Sequence, residues 1–191
     1  MADSGYFAKT IIGQILLIVC CIFYLIWWSI SYRPDVEVNR AGGLNGILLL
    51  ITAACGLLGT AFSLLGANGL PKNGHLKLSG FQIIIGGIIA YVLLLLITVY
   101  IFHRQVTTEL LLITGWAMME LTVISSLNGA GRLSDPRFWI LLAVIAVAFV
   151  ISMVLYVLYY RMEAMKAFYA AMIPLITEAV SMGVGLLVIL V

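Results

Sequence analysis

Residues 81–102 read FQIIIGGIIAYVLLLLITVYIF, a run without one charged side chain. Crossing the hydrocarbon of a bilayer takes about 20 apolar residues in a helix, and this run is long enough to do it. Five further stretches of the same kind flank it, at 11–31, 44–65, 110–127, 138–160 and 168–191. The expected fold is therefore an all-α integral membrane protein with six transmembrane helices. The fourth stretch is the shortest and contains a carboxylate, Glu120. If it failed to span, five crossings would remain and the termini would lie on opposite sides.

The rest of the chain agrees with a lipid solvent. Of 191 residues, 64% are hydrophobic and 9% are charged, whereas soluble domains carry about 25% charged residues. A single water-soluble core of this size cannot hide that much apolar surface. The connections are short and hold breakers such as Arg33-Pro34-Asp35, where proline ends the helical ladder. None is long enough to be a soluble domain, so residues 1–191 read as one polytopic membrane domain. The first stretch exceeds the roughly 7–15 apolar residues of a signal peptide and lacks a small-residue cleavage site; it reads as a permanent helix.

An internal repeat suggests how the helices are organised. Leu48-Leu49-Leu50-Ile51-Thr52 recurs as Leu110-Leu111-Leu112-Ile113-Thr114, and in part as Leu175-Ile176-Thr177. Extending the first match aligns Ser63 with Ser125, Leu65 with Leu127 and Gly69 with Gly131. The odd-numbered helices end in an aromatic ring followed by arginine, at Tyr32-Arg33, His103-Arg104 and Tyr160-Arg161. Three copies of a helical hairpin explain both patterns, although leucine-rich helices also resemble one another by composition alone.

Topology signals are balanced. Lys9, Lys72, Lys77, Arg132 and Arg137 fall on the side of the termini, and Arg33, Arg40, Arg104, Arg161 and Lys166 on the other. The positive-inside rule does not separate them; net charge leans toward cytoplasmic termini. Short polar loops without targeting signals fit a bacterial cytoplasmic membrane.

Two residues stand out chemically. Glu120 and Glu178 fall near the middle of the fourth and sixth stretches, where a charge costs at least about 2.5–3.5 kcal/mol. No lysine or arginine lies within the apolar runs. The carboxyls must be protonated, hydrogen-bonded or facing a water-filled space. At the helical rise each sits roughly 15 Å from the same side, so the two would line one site if their helices touch. Pro174 precedes Glu178 by four residues and shares its face, with Ser181 on the same stripe; Trp116 stands in the same relation to Glu120. A helix broken at Pro174, with a carboxylate, a hydroxyl and an aromatic ring nearby, suits a midplane cation or proton site. Packing by protonated glutamates is the plainer alternative.

Arg33, Arg104 and Arg161 form a second constellation, amid Trp27, Trp28, Tyr100, Tyr156, Tyr159, Phe168 and Tyr169. An aromatic belt with snorkelling arginines accounts for them; the sharper reading is a basic rim that contacts an anionic headgroup or solute. Small residues recur every fourth position at Cys55, Gly59, Ser63 and Ala67, beside Thr52, Gly56 and Thr60, a spacing that admits close helix contact. Cys20, Cys21 and Cys55 lie inside apolar runs and read as core residues.

Enzymes are poorly supported. Zinc-protease, nucleophile-elbow and phosphate-loop motifs are all missing. His75 and His103 fall in loops on opposite sides, so they cannot share a metal or haem, and no metal or cofactor is expected. Asp35, Glu37 and Arg40 in the first loop read as a solvated charged loop. With a net charge of +2 and no basic run, a nucleic-acid partner is not expected either. The sequence thus points to a small secondary transporter, or its membrane substrate-binding component, for a small cationic or polar solute held by midplane carboxylates. The alternative is a non-catalytic accessory subunit or lipid-binding scaffold. Membrane lipid and a small solute are the expected partners, with a homo-oligomer or a larger membrane complex also compatible.

Overall fold

The computed structural model of the protein describes residues 2–35, 43–72, 78–103 and 108–191. These form six α-helices: α1 (Ala2–Ser31), α2 (Gly43–Gly69), α3 (Gly80–Leu96), α4 (Thr108–Gly129), α5 (Asp135–Leu158) and α6 (Ala164–Leu190), with no strand among the described residues. All six are long and apolar enough to cross a membrane. Their outward faces are hydrocarbon: Leu50, Leu57 and Leu112 are 70%, 74% and 67% exposed. Water would have to wet that whole surface, while lipid tails match it, as expected of an integral membrane protein.

Most helices run further than the apolar stretches that announce them. Helix α1 continues back through Lys9 and Ser4, because hydropathy marks the part suited to hydrocarbon while the hydrogen-bond ladder stops only at a cap or breaker. Helix α3 has such a cap, in which Ser79 Oγ accepts from the Gln82 amide (3.2 Å) and Gln82 Oε1 accepts from the Ser79 amide (2.9 Å). Its other end loosens into a π-turn, Ile97–Ile101, where the Phe102 amide donates to Ile97 O at 3.1 Å. Between α4 and α5 the chain reverses tightly. Gly131 takes φ 71°, and the amides of Arg132 and Leu133 both reach back to Leu127 O. Pro136 then occupies the first turn of α5, where a missing amide hydrogen is harmless.

Packing places α4 at the centre. Helix α1 packs on α2, α2 on α4, α4 on α5, α5 on α6, and α6 returns to α1; α3 lies outside this ring against α4. Of the spanning window of α4, 56% is buried, against 17–28% in the other five. That explains why the fourth stretch is the least apolar. Its neighbours are protein on nearly every side, and Leu110, Val123 and Leu127 are almost wholly enclosed. The helix is nevertheless long and apolar enough to cross a membrane, as are the other five.

The tightest seam is between α1 and α2. A Cβ added at Gly13 would fall 2.8 Å from Gly59 O and onto the Ser63 amide; one at Gly66 would meet Thr10, and one at Gly69 the Tyr6 ring. Gly59 closes against Leu17 and the Gly13 carbonyl. The small-residue pattern on the second stretch therefore serves contact within the chain, with the partner glycine supplied by α1.

Filling this seam should be costly. Gly13→Val is expected to destabilise the fold by about 1–3 kcal/mol, the usual range for overpacking, read as a lowered melting temperature of purified protein in detergent. Gly86→Ala on α3, where an added Cβ meets nothing within 4 Å, should instead hold or raise the melting temperature, because alanine favours a helix interior by about 0.5–1 kcal/mol.

Candidate functional site

Three helices bring the intramembrane polar groups together. Gln14 comes from α1, Glu120 from α4 and Glu178 from α6, and the three are 3%, 6% and 8% exposed. Gln14 Nε2 donates to Glu120 Oε1 at 2.9 Å. Each is placed by its helix rather than by a loop. Glu120 sits in the buried run of α4 among Trp116, Ala117, Met119 and Val123, and Glu178 on the inner stripe of α6 with Ser181 and Met182.

The two carboxyls do not share one surface. Helices α4 and α6 make no extensive contact; α5 touches both. Glu178 lines a cavity of 1050 Å³ that runs between α1, α2, α4 and α6 and reaches residues of α3 and α5. Glu120 instead lines a separate void of 10 Å³, with Gln14, Ser181, Leu141 and Ile189 in its wall. That volume is at the lower limit for one water, about 10–15 Å³. Met182 borders both spaces.

Of the residues that the sequence singles out, Trp116, Pro174 and Glu178 belong to the large cavity, and Glu120 and Ser181 to the small void. Among the described residues the Glu178 carboxyl makes no hydrogen bond or ion pair. The indole nitrogens of Trp116 and Trp28, both lining the same cavity, are buried without an acceptor. Near one end of the cavity Tyr24 stacks on Trp28 (6.4 Å), which in turn stacks on Tyr32 (4.5 Å) and Phe168 (6.5 Å).

One expectation needs correcting. Helix α6 is not broken at Pro174; it runs as α-helix from Ala164 to Leu190. Proline removes a single backbone hydrogen bond, the one to Ala170 O, and a long helix held on both sides by α1 and α5 absorbs that loss. Ala170 and Pro174 both line the cavity.

The arginine rim is only partly described. Arg33 grips Asp35 through two hydrogen bonds, 2.8 and 3.0 Å, so its charge already has a partner. Arg161 is exposed in the turn after α5. Arg104 lies outside the described residues, as do Glu37, Arg40, His75 and Lys77. The Arg33 hydrogen bond holds the Asp35 carboxyl below its usual range, and the same contact raises Arg33.

Two participants escaped the sequence reading. Gln14 is a lone amide inside an apolar run, and a search for charges passes over it. Glu109 opens α4 and lines the same cavity as Glu178; Tyr159 Oη donates to it over a long 3.5 Å. An acid within one turn of an apolar run was the available signal. Among the described residues no group of three or more histidine, cysteine, aspartate or glutamate side chains is placed to hold a metal ion. Comparison with protein-family models, curated proteins and solved structures yields no match to this chain, so geometry alone carries the functional argument.

Gln14→Leu should leave the buried Glu120 oxygen without its donor and lower stability by about 1–3 kcal/mol, measured as a drop in melting temperature. Glu120→Gln, which keeps hydrogen-bonding capacity, should lose less. For Asp35, a lowered midpoint means that the pair is complete above the ordinary aspartate value and opens as pH falls through the lowered one. Carboxyl NMR of the labelled protein should give Asp35 a midpoint below 3.8, returning toward that value in Arg33→Gln.

Proposed function

We propose that the protein is a small secondary transporter, or the membrane substrate-binding component of one, and that it takes a small cationic or polar solute at Glu178. The observation that carries this reading is a buried carboxyl, without a hydrogen bond or ion pair among the described residues, on the wall of a 1050 Å³ cavity. In a medium of low dielectric such a group is stable only as the neutral acid or beside a bound cation. One carboxyl cannot hold a proton and a cation together. Exchange of one for the other is the elementary step of proton-coupled transport, since each form favours its own conformation.

Glu120 serves as the second carboxyl in this scheme. Its void and its Gln14 hydrogen bond give it room for one water and a fixed orientation. The expected repeat joins the proposal: α1 with α2, α3 with α4 and α5 with α6 each pack as neighbours, as three hairpins would. Such an arrangement puts both termini on one side, which we read as the cytoplasmic side of a bacterial inner membrane. Solute and lipid are the partners invoked, assembly with further copies or subunits is compatible, and no enzymatic step is assigned.

A second reading, a lipid-binding scaffold or accessory subunit, draws on the apolar character of the same cavity wall, which includes Leu57, Ile84, Leu111 and Leu112. It treats Glu120 and Glu178 as packing residues.

Proteoliposomes carrying an internal pH-sensitive dye separate the two. With a panel of amines, amino acids and inorganic cations outside, solute-dependent proton movement is expected in the wild type. Removing one partner of a buried charge pair costs about 2–5 kcal/mol, so Glu178→Gln should cut that movement more than roughly tenfold while the variant stays folded. No movement across the panel, with Glu178→Gln and Glu120→Gln merely less stable, would transfer the assignment to the scaffold.

A further inference from the structure

The reading above leaves open what kind of cation the cavity takes and how it arrives. We infer that the solute is an amphipathic organic cation that reaches Glu178 sideways from the bilayer, through the gap between α2 and α3. This inference rests on the proposed solute site at Glu178.

The size of the cavity is the first argument. Drug-sized ligands occupy pockets of about 300–1,000 Å³, and 1050 Å³ lies just above that range. A simple ammonium or alkali ion would leave most of the wall without contact. The second argument is polarity. Thr52 and Thr122 line the cavity, but their hydroxyls donate to Leu48 O and Met118 O within their own helices, at 2.9 and 2.8 Å. Tyr24, Thr60 and Asn68 are further polar side chains on the wall, but most of the rest is hydrocarbon, including Leu17, Ile83, Leu111, Met118 and Leu175. Trp116 and Trp28 line the cavity with carbon, since their indole nitrogens are themselves buried. A deep carboxyl at Glu178, a second acid at the Glu109 end and a long apolar wall are complementary to a cationic head carried on a large hydrophobic body. The tryptophan and tyrosine faces add attraction for an organic cation that has shed its water.

The route follows from the packing. Helices α2 and α3 are consecutive, yet they do not pack on each other; α3 leans on α4 instead. At this gap Leu57, Ile84 and Leu112 both line the cavity and face outward, at 74%, 54% and 67% exposed. The same side chains therefore touch the cavity and the lipid. A solute dissolved in the bilayer meets no polar barrier there, whereas access from the aqueous ends passes Glu109 and Tyr159 on one side and Asn68 on the other.

The test uses the full chain in lipid nanodiscs and equilibrium binding of radiolabelled tetraphenylphosphonium, set against methylammonium and putrescine, which stay in water. Saturable binding of tetraphenylphosphonium is expected, weakened at least about tenfold in Glu178→Gln and little in Gly86→Ala, which lies outside the cavity wall and controls for folding. Leu57→Phe with Ile84→Phe should slow association several-fold. Unchanged association in that double variant would overturn the lateral route. Binding and transport of methylammonium or putrescine, with none of tetraphenylphosphonium, would overturn the amphipathic solute and leave the transport reading standing. Failure of every cation to bind or move, with a phospholipid held in stoichiometric amount that none displaces, would remove both.

Discussion

Hydrocarbon supplies no hydrogen bonds, and that constraint organises this molecule. Helices satisfy it for the backbone. The buried side chains follow the same rule by turning inward: the hydroxyls of Thr10, Thr52, Thr98, Thr114 and Thr177 each donate to a carbonyl four residues earlier. Ser125 Oγ donates to Leu78 O and so ties α4 to the start of α3. Gln14 spends its amide on Glu120. Once these pairs are made, few intramembrane polar groups are left. The hydroxyls of Ser63 and Ser152 and the indole nitrogens of Trp28 and Trp116 are enclosed in the packing, and the conspicuous remainder, Glu178, lies on the wall of the large cavity.

That cavity is a consequence of unequal packing. The glycines of α1 and α2 draw those two helices to backbone contact, which leaves less side-chain volume to fill the space on their inner side. Helix α4 is held centrally by α2, α3 and α5, and its partners stop short of enclosing it where α2 and α3 part. The face that α2 turns to the cavity is itself mostly small, with Thr52, Ala53, Gly56 and Thr60 on the wall, so little side-chain volume reaches into the space.

The helical class and the six long apolar helices were legible because both follow from length and apolarity, which need no partner to be read. The burial of α4 was visible only as a weakness, its lower apolarity and its acid at Glu120. In retrospect those are what a helix surrounded by protein can afford. Glu120 and Glu178 were found because a charge in an apolar run is conspicuous in one dimension. Their separation into two compartments was not legible. It depends on which helices touch, and equal depth from the same side fits either arrangement. Gln14 was passed over because an uncharged amide carries a smaller penalty and so a fainter signal. Pro174 misled in the opposite direction: proline predicts a missing hydrogen bond correctly, but whether the helix breaks is decided by the neighbours that hold it. The threonine repeat illustrates a further limit. Thr52, Thr114 and Thr177 do behave alike, yet Thr10 and Thr98 make the same bond outside the repeat, so the shared chemistry belongs to threonine in a helix.

The partition between the two acids bears directly on coupling. If both carboxyls lined one cavity, a solute arriving there would compete with protons at both, and the stoichiometry would depend on its size. Here the wall formed by Met182 lets Glu178 meet the cavity while Glu120 meets only a water-sized void and Gln14. Under the proposed function, a cation at Glu178 makes that carboxylate stable and removes its repulsion toward Glu120, whereas departure of the cation restores the repulsion unless a proton arrives. Glu120 would thus report the state of a site it does not touch, through charge alone. The Gln14 hydrogen bond then links that state to α1, the helix packed against both α2 and α6 and therefore placed to alter both walls of the cavity when it shifts.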